Sequence, residues 1–198
     1  NDSLPSCDII DITFFDNEAY IATSTDGIFI FNGEYFERVK LIQGKKISYM
    51  NKVSNSLFIS TDIDNLLYDG SKVEYMGWGF PKGEVVDESS YDGERWYAGK
   101  RNIIQEESNN KFKNYALDFA DKNIVIQCIL YKDKIIYIGT NKGLYSWAKN
   151  KNLTLEERSL NVVSLEYFNS EIILVGTKKG IYSLQDGQLN PITSDDSY

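Results

Sequence analysis

The sequence contains no histidine among its 198 residues. Histidine is the commonest general base, the commonest protein ligand of zinc and the central member of a Ser-His-Asp triad. Its absence excludes the ordinary hydrolase mechanisms that depend on an imidazole. Glycine-rich phosphate loops and strained nucleophile turns are missing as well. We therefore predict no catalytic residue, no metal site and no cofactor.

Long apolar runs are also missing. No stretch approaches the roughly 18 consecutive apolar residues that a membrane-spanning helix needs, so we expect no span within this chain. Residues 1–6 have neither the basic nor the apolar stretch of a secretion signal. The composition otherwise matches a soluble globular protein, with 42% hydrophobic and 25% charged residues. The length suits one domain over residues 1–198.

Cysteine is scarce. The two cysteines, Cys7 and Cys128, lie far apart and show no metal-ligand spacing. Cys128 lies in the apolar run 125–130, which predicts a buried thiol. The sequence leaves open whether the two residues form a disulfide.

Positive charge is in deficit. The chain has 21 basic and 29 acidic residues and a net charge of -8. This balance repels phosphate backbones and argues against a nucleic-acid partner. Residues 122–151 reverse the trend, with six lysines and one acidic residue, Asp133. We expect one side of the molecule to be more basic, either for solubility alone or to steer a ligand.

One four-residue element recurs five times along the chain. It consists of an aromatic or large apolar residue, an aliphatic residue, a small residue, and then Thr or Gly. Its last positions are Thr23, Thr61, Gly99, Thr140 and Thr177, so the period is 37 to 41 residues. A period near 40 is typical of propeller blades or helical solenoids. Because these Thr and Gly residues recur in each repeat, we assign them structural roles.

The content of each repeat favours blades. In the last repeat, apolar-rich segments alternate with short turns such as Asp186-Gly187, and no helical stripe is present. The first repeat is predicted to end with a strand from Tyr35 to Leu41. We therefore predict an all-β fold, a β-propeller of five four-stranded antiparallel blades of about 40 residues. The repeats cover approximately residues 8–42, 46–76, 84–118, 123–158 and 161–193.

The repeat resembles that of the two-component regulator propeller family, whose members are bacterial sensor regions. The resemblance covers nearly the whole chain and rests on a lead-in, a second strand and a turn with its third strand. The matching residues are Leu4-Pro5-Ser6, Ile138-Gly139-Thr140, Val175-Gly176-Thr177, Gly143-Leu144-Tyr145 and Gly180-Ile181-Tyr182. The family's characteristic Trp is kept only at Trp96. The resemblance implies a propeller fold and a periplasmic or extracellular sensing role.

The first set of candidate binding residues lies in the link between two repeats at residues 76–84. Propellers bind ligands on the loops that join one blade to the next. Trp78 and Phe80 are flanked by glycines and followed by Lys82, which could form an exposed aromatic platform for a sugar or a protein side chain. The alternative is that these rings fold inward and fill a gap between blades.

A second candidate set lies on the first strands of the blades. Asp11 and Asp87 fall at similar places in their repeats, and Gln127 lies on another first strand. Carboxylates around a channel could bind a cation or act as an acid–base pair in glycan hydrolysis. The alternative is that they are solvated or hydrogen-bonded to the backbone.

We therefore expect a non-catalytic propeller that binds a protein or carbohydrate ligand and acts as a periplasmic or extracellular sensing module. The alternative is a glycan-active hydrolase or lectin that uses channel carboxylates and aromatic loops.

Overall fold

The structure is a computed structural model. It describes residues 4, 8–76, 80, 84–107 and 111–192, so Cys7, Trp78 and Lys82 lie outside the described residues. Twenty strands and one short helical turn make up its elements. Within these ranges, no helix is long and apolar enough to cross a membrane.

The strands form five four-stranded antiparallel sheets, each paired in chain order. The predicted all-β class and the predicted number of blades are confirmed. Sheet 1 contains β1 Ile9–Phe15, β2 Glu18–Thr23, β3 Gly27–Phe31 and β4 Phe36–Arg38. Sheet 2 contains β5 Ile47–Val53, β6 Ser56–Thr61, β7 Asn65–Tyr68 and β8 Val73–Tyr75. Sheet 3 contains β9 Val85–Tyr91, β10 Glu94–Gly99, β11 Asn102–Glu107 and β12 Lys111–Ala116.

The last two sheets follow the same plan. Sheet 4 contains β13 Ile126–Lys132, β14 Ile135–Thr140, β15 Gly143–Trp147 and β16 Thr154–Arg158. Sheet 5 contains β17 Val162–Tyr167, β18 Ile173–Thr177, β19 Gly180–Gln185 and β20 Gln188–Pro191. Pro191 lies on an outer strand, where its missing N–H costs no ladder bond.

One predicted strand is shorter than expected. The segment from Tyr35 to Leu41 was predicted as a strand, but β4 ends at Arg38 and a 3-10 turn spans Lys40–Ile42. Ile42 is fully buried in this turn. Within the predicted strand, Val39 is buried whereas Tyr35 and Leu41 are exposed, so the apolar pattern predicted burial only in part, and a tight turn replaces the end of the strand.

Hairpin turns follow from residues that accept a positive φ. The turn Asp16-Asn17 has φ values of 49° and 64°, and Asp92-Gly93 has 50° and 78°. These values match the two-residue turns whose twist suits antiparallel strands, and Asp, Asn and Gly are the residues that tolerate them. Asp133-Lys134 adopts the same geometry at 49° and 67°, although lysine is not a favoured residue there.

The recurring threonine closes the turn between the second and third strands. Thr23, Thr140 and Thr177 each donate a hydrogen bond from Oγ1 to the carbonyl of the glycine that opens the next strand, at 2.8 to 2.9 Å. Thr61 does the same to the carbonyl of Asp64 at 2.9 Å. The predicted structural role of these threonines is confirmed.

Backbone contacts group the chain into two compact units. The first comprises residues 1–85 and 107–112, and the second residues 86–106 and 113–198. In the first unit, one apolar cluster lies between sheets 1 and 2 and is centred on side chains such as Tyr20, Met50 and Leu57. In the second unit, one cluster joins sheets 3 and 4 and another joins sheets 4 and 5. Each sheet therefore packs apolar side chains against at least one neighbouring sheet, as thin sheets must.

Candidate functional site

The two candidate carboxylates are bound to backbone amides. Asp87 accepts hydrogen bonds from the N–H of Glu88 and the N–H of Ile129, both at 2.8 Å. Asp11 accepts one from Ile12 at 2.8 Å and one from Met50. Met50 and Ile129 occupy the same place in β5 and β13, opposite Ile59 and Ile138. Each Asp therefore links its own first strand to the first strand of the next sheet.

The surroundings of Asp11 disfavour the charged form of its carboxyl group. Burial raises the pKa of its carboxyl above the usual value, and the amides of Ile12 and Met50 oppose the shift. Among the described residues, no group of three or more Asp, Glu, Cys or His side chains could hold a metal ion.

The other two described candidates differ in their surroundings. Phe80 is half-buried, and its ring lies 4.7 Å from Phe112 in an edge-to-face contact and 5.9 Å from Phe58. Gln127 lies on β13, and its Oε1 is buried without a hydrogen-bond partner among the described residues. Trp78 and Lys82 lie outside the described residues, so the predicted aromatic platform stays a prediction.

Cys128 is buried, as predicted. Burial raises the pKa of its thiol to about 12. A Cβ added to Gly139 would lie 2.4 Å from the Sγ of Cys128. The thiol therefore fills the space that is left open because Gly139, the small residue of the repeat, has no side chain. The thiol is therefore a packing group.

The second unit contains a groove of about 600 Å³ on sheet 4 that the sequence did not indicate. Its walls come from the β12–β13 link, the β14–β15 turn with β15, β16 with the residue before it, and the β16–β17 link. Its lining residues, called the loop groove below, are Asp118, Ala120, Asp121, Ile124, Asn141, Lys142, Tyr145, Leu153, Leu155, Arg158, Ser159 and Asn161. The volume lies within the range of about 300–1,000 Å³ typical of small-ligand sites.

Arg101 holds the β12–β13 link in place. Its Nη1 donates hydrogen bonds to the carbonyls of Asp121, Lys122 and Ile124 at 3.3, 2.7 and 2.7 Å. The guanidinium carbon also lies 5.4 Å from the ring centre of Phe119. One side chain thus satisfies three loop carbonyls, and this fixes the wall of the groove before any ligand arrives.

Polar pairs fix the rest of the wall. Lys142 Nζ lies 2.6 Å from Asp121 Oδ2. That hydrogen bond, with one from the Asn123 amide, lowers the pKa of Asp121 below its usual value. Asn141 accepts a bond from the Val125 amide at 2.9 Å and donates one to the Asn123 carbonyl at 3.1 Å. The β14–β15 turn and the β12–β13 link are therefore tied together.

Two polar groups of the groove have no partner among the residues that the structure describes. Oδ1 of Asn161 is buried and accepts no hydrogen bond, which costs free energy that a donor on a ligand would recover. Arg158 is exposed at the end of β16, and within the described ranges no acidic side chain pairs with it. Leu153, Leu155 and Ile124 provide the apolar part of the wall.

Sequence reasoning identified the class of loop but not the loops that form the groove. Links between blades were the predicted place for a site, and aromatic residues drew attention to residues 76–84. The groove instead uses the links 117–125 and 159–161. The residue by which the sequence could have indicated the groove is Arg158, a cation next to the link 159–161. The orientation of Arg158, however, depends on the packing of segments that are distant in sequence.

Comparisons with known proteins support the fold. No family model matches the chain, and no curated protein does either. Among solved structures, the extracellular domain of BT4673 from B. thetaiotaomicron, a proposed hybrid two component system, superposes with a TM-score of 0.77 at 17% identity. The match covers 96% of this chain and 28% of that one. The chain thus spans little more than a quarter of that domain.

Two further structures have similar folds. YCF48 bound to D1 peptide gives a TM-score of 0.64 at 13% identity, over 96% of this chain and 70% of that one. A catalytically inactive virginiamycin B lyase from Staphylococcus aureus with quinupristin gives 0.68 at 11% identity, over 91% and 66%. At these identities the likeness concerns the fold alone. The chain has a β-propeller fold similar to that of a bacterial sensor's extracellular domain, as the sequence resemblance implied.

Proposed function

We propose that the chain is a non-catalytic binding module, and that it takes an extended peptide segment of a partner protein in the loop groove. The observation that carries the proposal is a preformed groove with a cation and a buried amide oxygen that have no partner within the described part of the chain. Such a wall offers apolar contact and a small number of fixed polar groups, which is the usual make-up of a binding site.

A peptide matches the chemistry of the wall. Oδ1 of Asn161 is a hydrogen-bond acceptor without a donor among the described residues, and backbone N–H groups are the donors that every peptide supplies. Leu153 and Leu155 suit an apolar side chain, and Arg158 suits a carboxylate. The solved complex of YCF48 with a peptide shows that a protein of this fold can bind such a ligand.

The proposed setting is extracellular or periplasmic, with a role in sensing. The fold matches the extracellular domain of a proposed two component system, and the sequence repeat resembles the same class of sensor regions. In such a role, the partner segment is the signal, and binding alone is the output of this module.

The geometry of the carboxylates favours binding over catalysis. Asp87 uses both of its oxygens to accept backbone N–H groups, so it is poorly placed to act as a general base. The lyase of similar fold is inactivated by replacing a histidine, and this chain has no histidine. A binding role therefore accounts for more of the observations than hydrolysis or elimination does.

Peptide display tests the proposal. A random peptide library is panned against the chain, and enriched peptides are measured by isothermal titration calorimetry. We expect enrichment of sequences that combine an acidic and an apolar residue. Arg158→Gln and Asn161→Leu are each expected to weaken binding about tenfold, since each removes one buried or charge-assisted contact.

Lys40→Gln serves as the matched control, because Lys40 is an exposed cation in the first unit. It is expected to bind like the unaltered chain. If no peptide is enriched, or if the enriched peptides bind equally well to all three variants, the groove is not the binding site. Turnover of a bound ligand, seen by mass spectrometry, would contradict the non-catalytic assignment.

A further inference from the structure

A second cavity of the second unit lies at the other end of the sheets, near the hairpin turns. It has a volume of about 130 Å³, and we call it the Trp96 pocket. Its lining residues are Glu94, Trp96, Gln105, Tyr131, Lys134, Ile136, Trp147 and Lys149. A cavity of about 270 Å³ adjoins it and shares Glu94, Tyr131 and Lys134. The proposed peptide site uses none of these residues.

Aromatic rings form the floor of the Trp96 pocket. The ring centres of Trp96 and Trp147 lie 5.9 Å apart in an edge-to-face contact, and Tyr131 lies 5.5 Å from Trp96. Both indoles and Ile136 are buried. A 150 Å³ apolar cavity in another protein holds one benzene molecule, so a pocket of about 130 Å³ fits a single planar ring.

Hydrogen bonds hold this floor rigid. The hydroxyl of Tyr131 donates to the carboxylate of Glu94, and its backbone N–H donates to Ser89 Oγ at 2.9 Å. Gln105 Oε1 accepts hydrogen bonds from the Tyr115 hydroxyl at 3.2 Å and from Lys149 Nζ at 3.1 Å. The Glu94 charge is thus engaged by a phenol, and the partner of Lys149 among the described residues is a neutral amide.

Lys134 is the unusual residue of the pocket. It occupies a left-handed turn position with φ of 67°, where Asn17 and Gly93 stand in the equivalent turns. A lysine there costs stability that Asn or Gly would not. Among the described residues, none pairs with its ammonium group. A strained position with an unpaired cation beside a cavity is characteristic of a functional site.

We propose that the Trp96 pocket binds a small aromatic carboxylate. The ring packs on the floor that Trp96, Trp147 and Ile136 form, and the carboxylate lies at the rim between Lys134 and Lys149. The pocket itself is lined by two lysines and one engaged glutamate, whereas Asp92 and Asp133 line the adjoining cavity. The positive part of the rim is therefore the side between Lys134 and Lys149, and this side selects an anion over a neutral molecule of the same shape. The module then has two separate inputs, a peptide and a small acid.

Tryptophan fluorescence tests this inference directly. The chain has three tryptophans, Trp78, Trp96 and Trp147, so a Trp78→Phe background leaves only the two indoles of the pocket. Benzoate is the probe, and benzamide is its neutral counterpart of equal shape. We expect saturable quenching by benzoate, confirmed by calorimetry, and affinity for benzamide about threefold weaker or worse, as expected for an exposed charge contact.

Lys134→Asn separates binding from stability. Asparagine tolerates the left-handed turn and removes the charge, so benzoate affinity should fall about threefold or more while the melting temperature stays equal or rises. Lys122→Asn, at an exposed lysine outside the pocket, should leave both unchanged. No saturable quenching, equal affinity for benzamide, or equal affinity of the Lys134→Asn variant would each overturn the proposal. Arg158→Gln should not change benzoate binding, which keeps this test independent of the peptide site.

Discussion

The carboxylate of Asp87 on β9 accepts the backbone N–H of Ile129 on β13 at 2.8 Å. The first strands lie at one edge of their sheets, so the N–H groups on that free edge need partners from elsewhere. In the first unit, Asp11 does the same for the Met50 amide. Residues that looked like a channel acid pair thus hold one sheet to the next.

Removing this link should destabilise the protein. We expect Asp87→Ala to lower the free energy of unfolding by about 1–3 kcal/mol, because it leaves the Ile129 N–H without its partner. Chemical denaturation monitored by fluorescence measures the change. Asp62→Ala is the control, since Asp62 is exposed and its side chain makes no hydrogen bond or ion pair among the described residues. Equal stability of the two variants would show that the link is not structural.

The contact between Gly139 and Cys128 predicts a second effect. A Cβ on residue 139 would come within 2.4 Å of Cys128 Sγ and 2.6 Å of Val162 Cγ1, so Gly139→Ala should cost about 1–3 kcal/mol through overpacking.

A double-mutant cycle with Cys128→Ala measures how much of that cost comes from the thiol. Because the smaller side chain removes one of the two clashes, the double variant should be more stable than the sum of the single effects predicts. Strict additivity would mean that the thiol and the new methyl group do not meet.

Alkaline pH should destabilise the fold through buried groups whose charged form is disfavoured. Burial raises the pKa of Cys128 from 9.0 to about 12, and that of Tyr20 and Tyr131 from 10.0 to about 12. Since these pKa values are higher in the folded state, the stability they contribute is complete below pH 9 and is lost as the pH rises towards 12.

The free energy of unfolding, measured between pH 7 and pH 11, should therefore be level at first and fall above about pH 9. In a pH titration, the phenolate absorbance should rise at a higher pH in the native protein than in the denatured protein, in which tyrosine has its usual pKa. A native titration that matches the denatured one would contradict the predicted burial of these tyrosines.

Repetition is the reason that the fold could be predicted from the sequence. The same turn occurs in three sheets and is marked by Thr23, Thr140 and Thr177. Each of these signals is local, because the threonine and its neighbours in the sequence determine the conformation of the turn. The exception near Lys40 is also local in origin, because Ile42 reaches the core through a turn that apolar patterning cannot distinguish from a strand.

The site depends on distant residues, which is why the sequence did not indicate it. Arg101 fixes the loop at 121–124 across some twenty positions, and Asn161 and Asp121 come to line one groove only through the packing of the sheets. Conversely, we interpreted Asp11 and Asp87 as functional candidates because a sequence cannot show that each carboxylate accepts a hydrogen bond from a backbone N–H group of the next sheet.

The most direct test of the binding function is an NMR titration of the ¹⁵N-labelled chain with a peptide selected by display. The account predicts that the largest amide shifts fall on the segments of the loop groove, around Asp121, Lys142 and Asn161, and that Arg158→Gln strongly reduces them at a peptide concentration near the dissociation constant of the unaltered chain. Largest shifts on the first strands, around Asp11 and Asp87, with the groove unaffected, would contradict it.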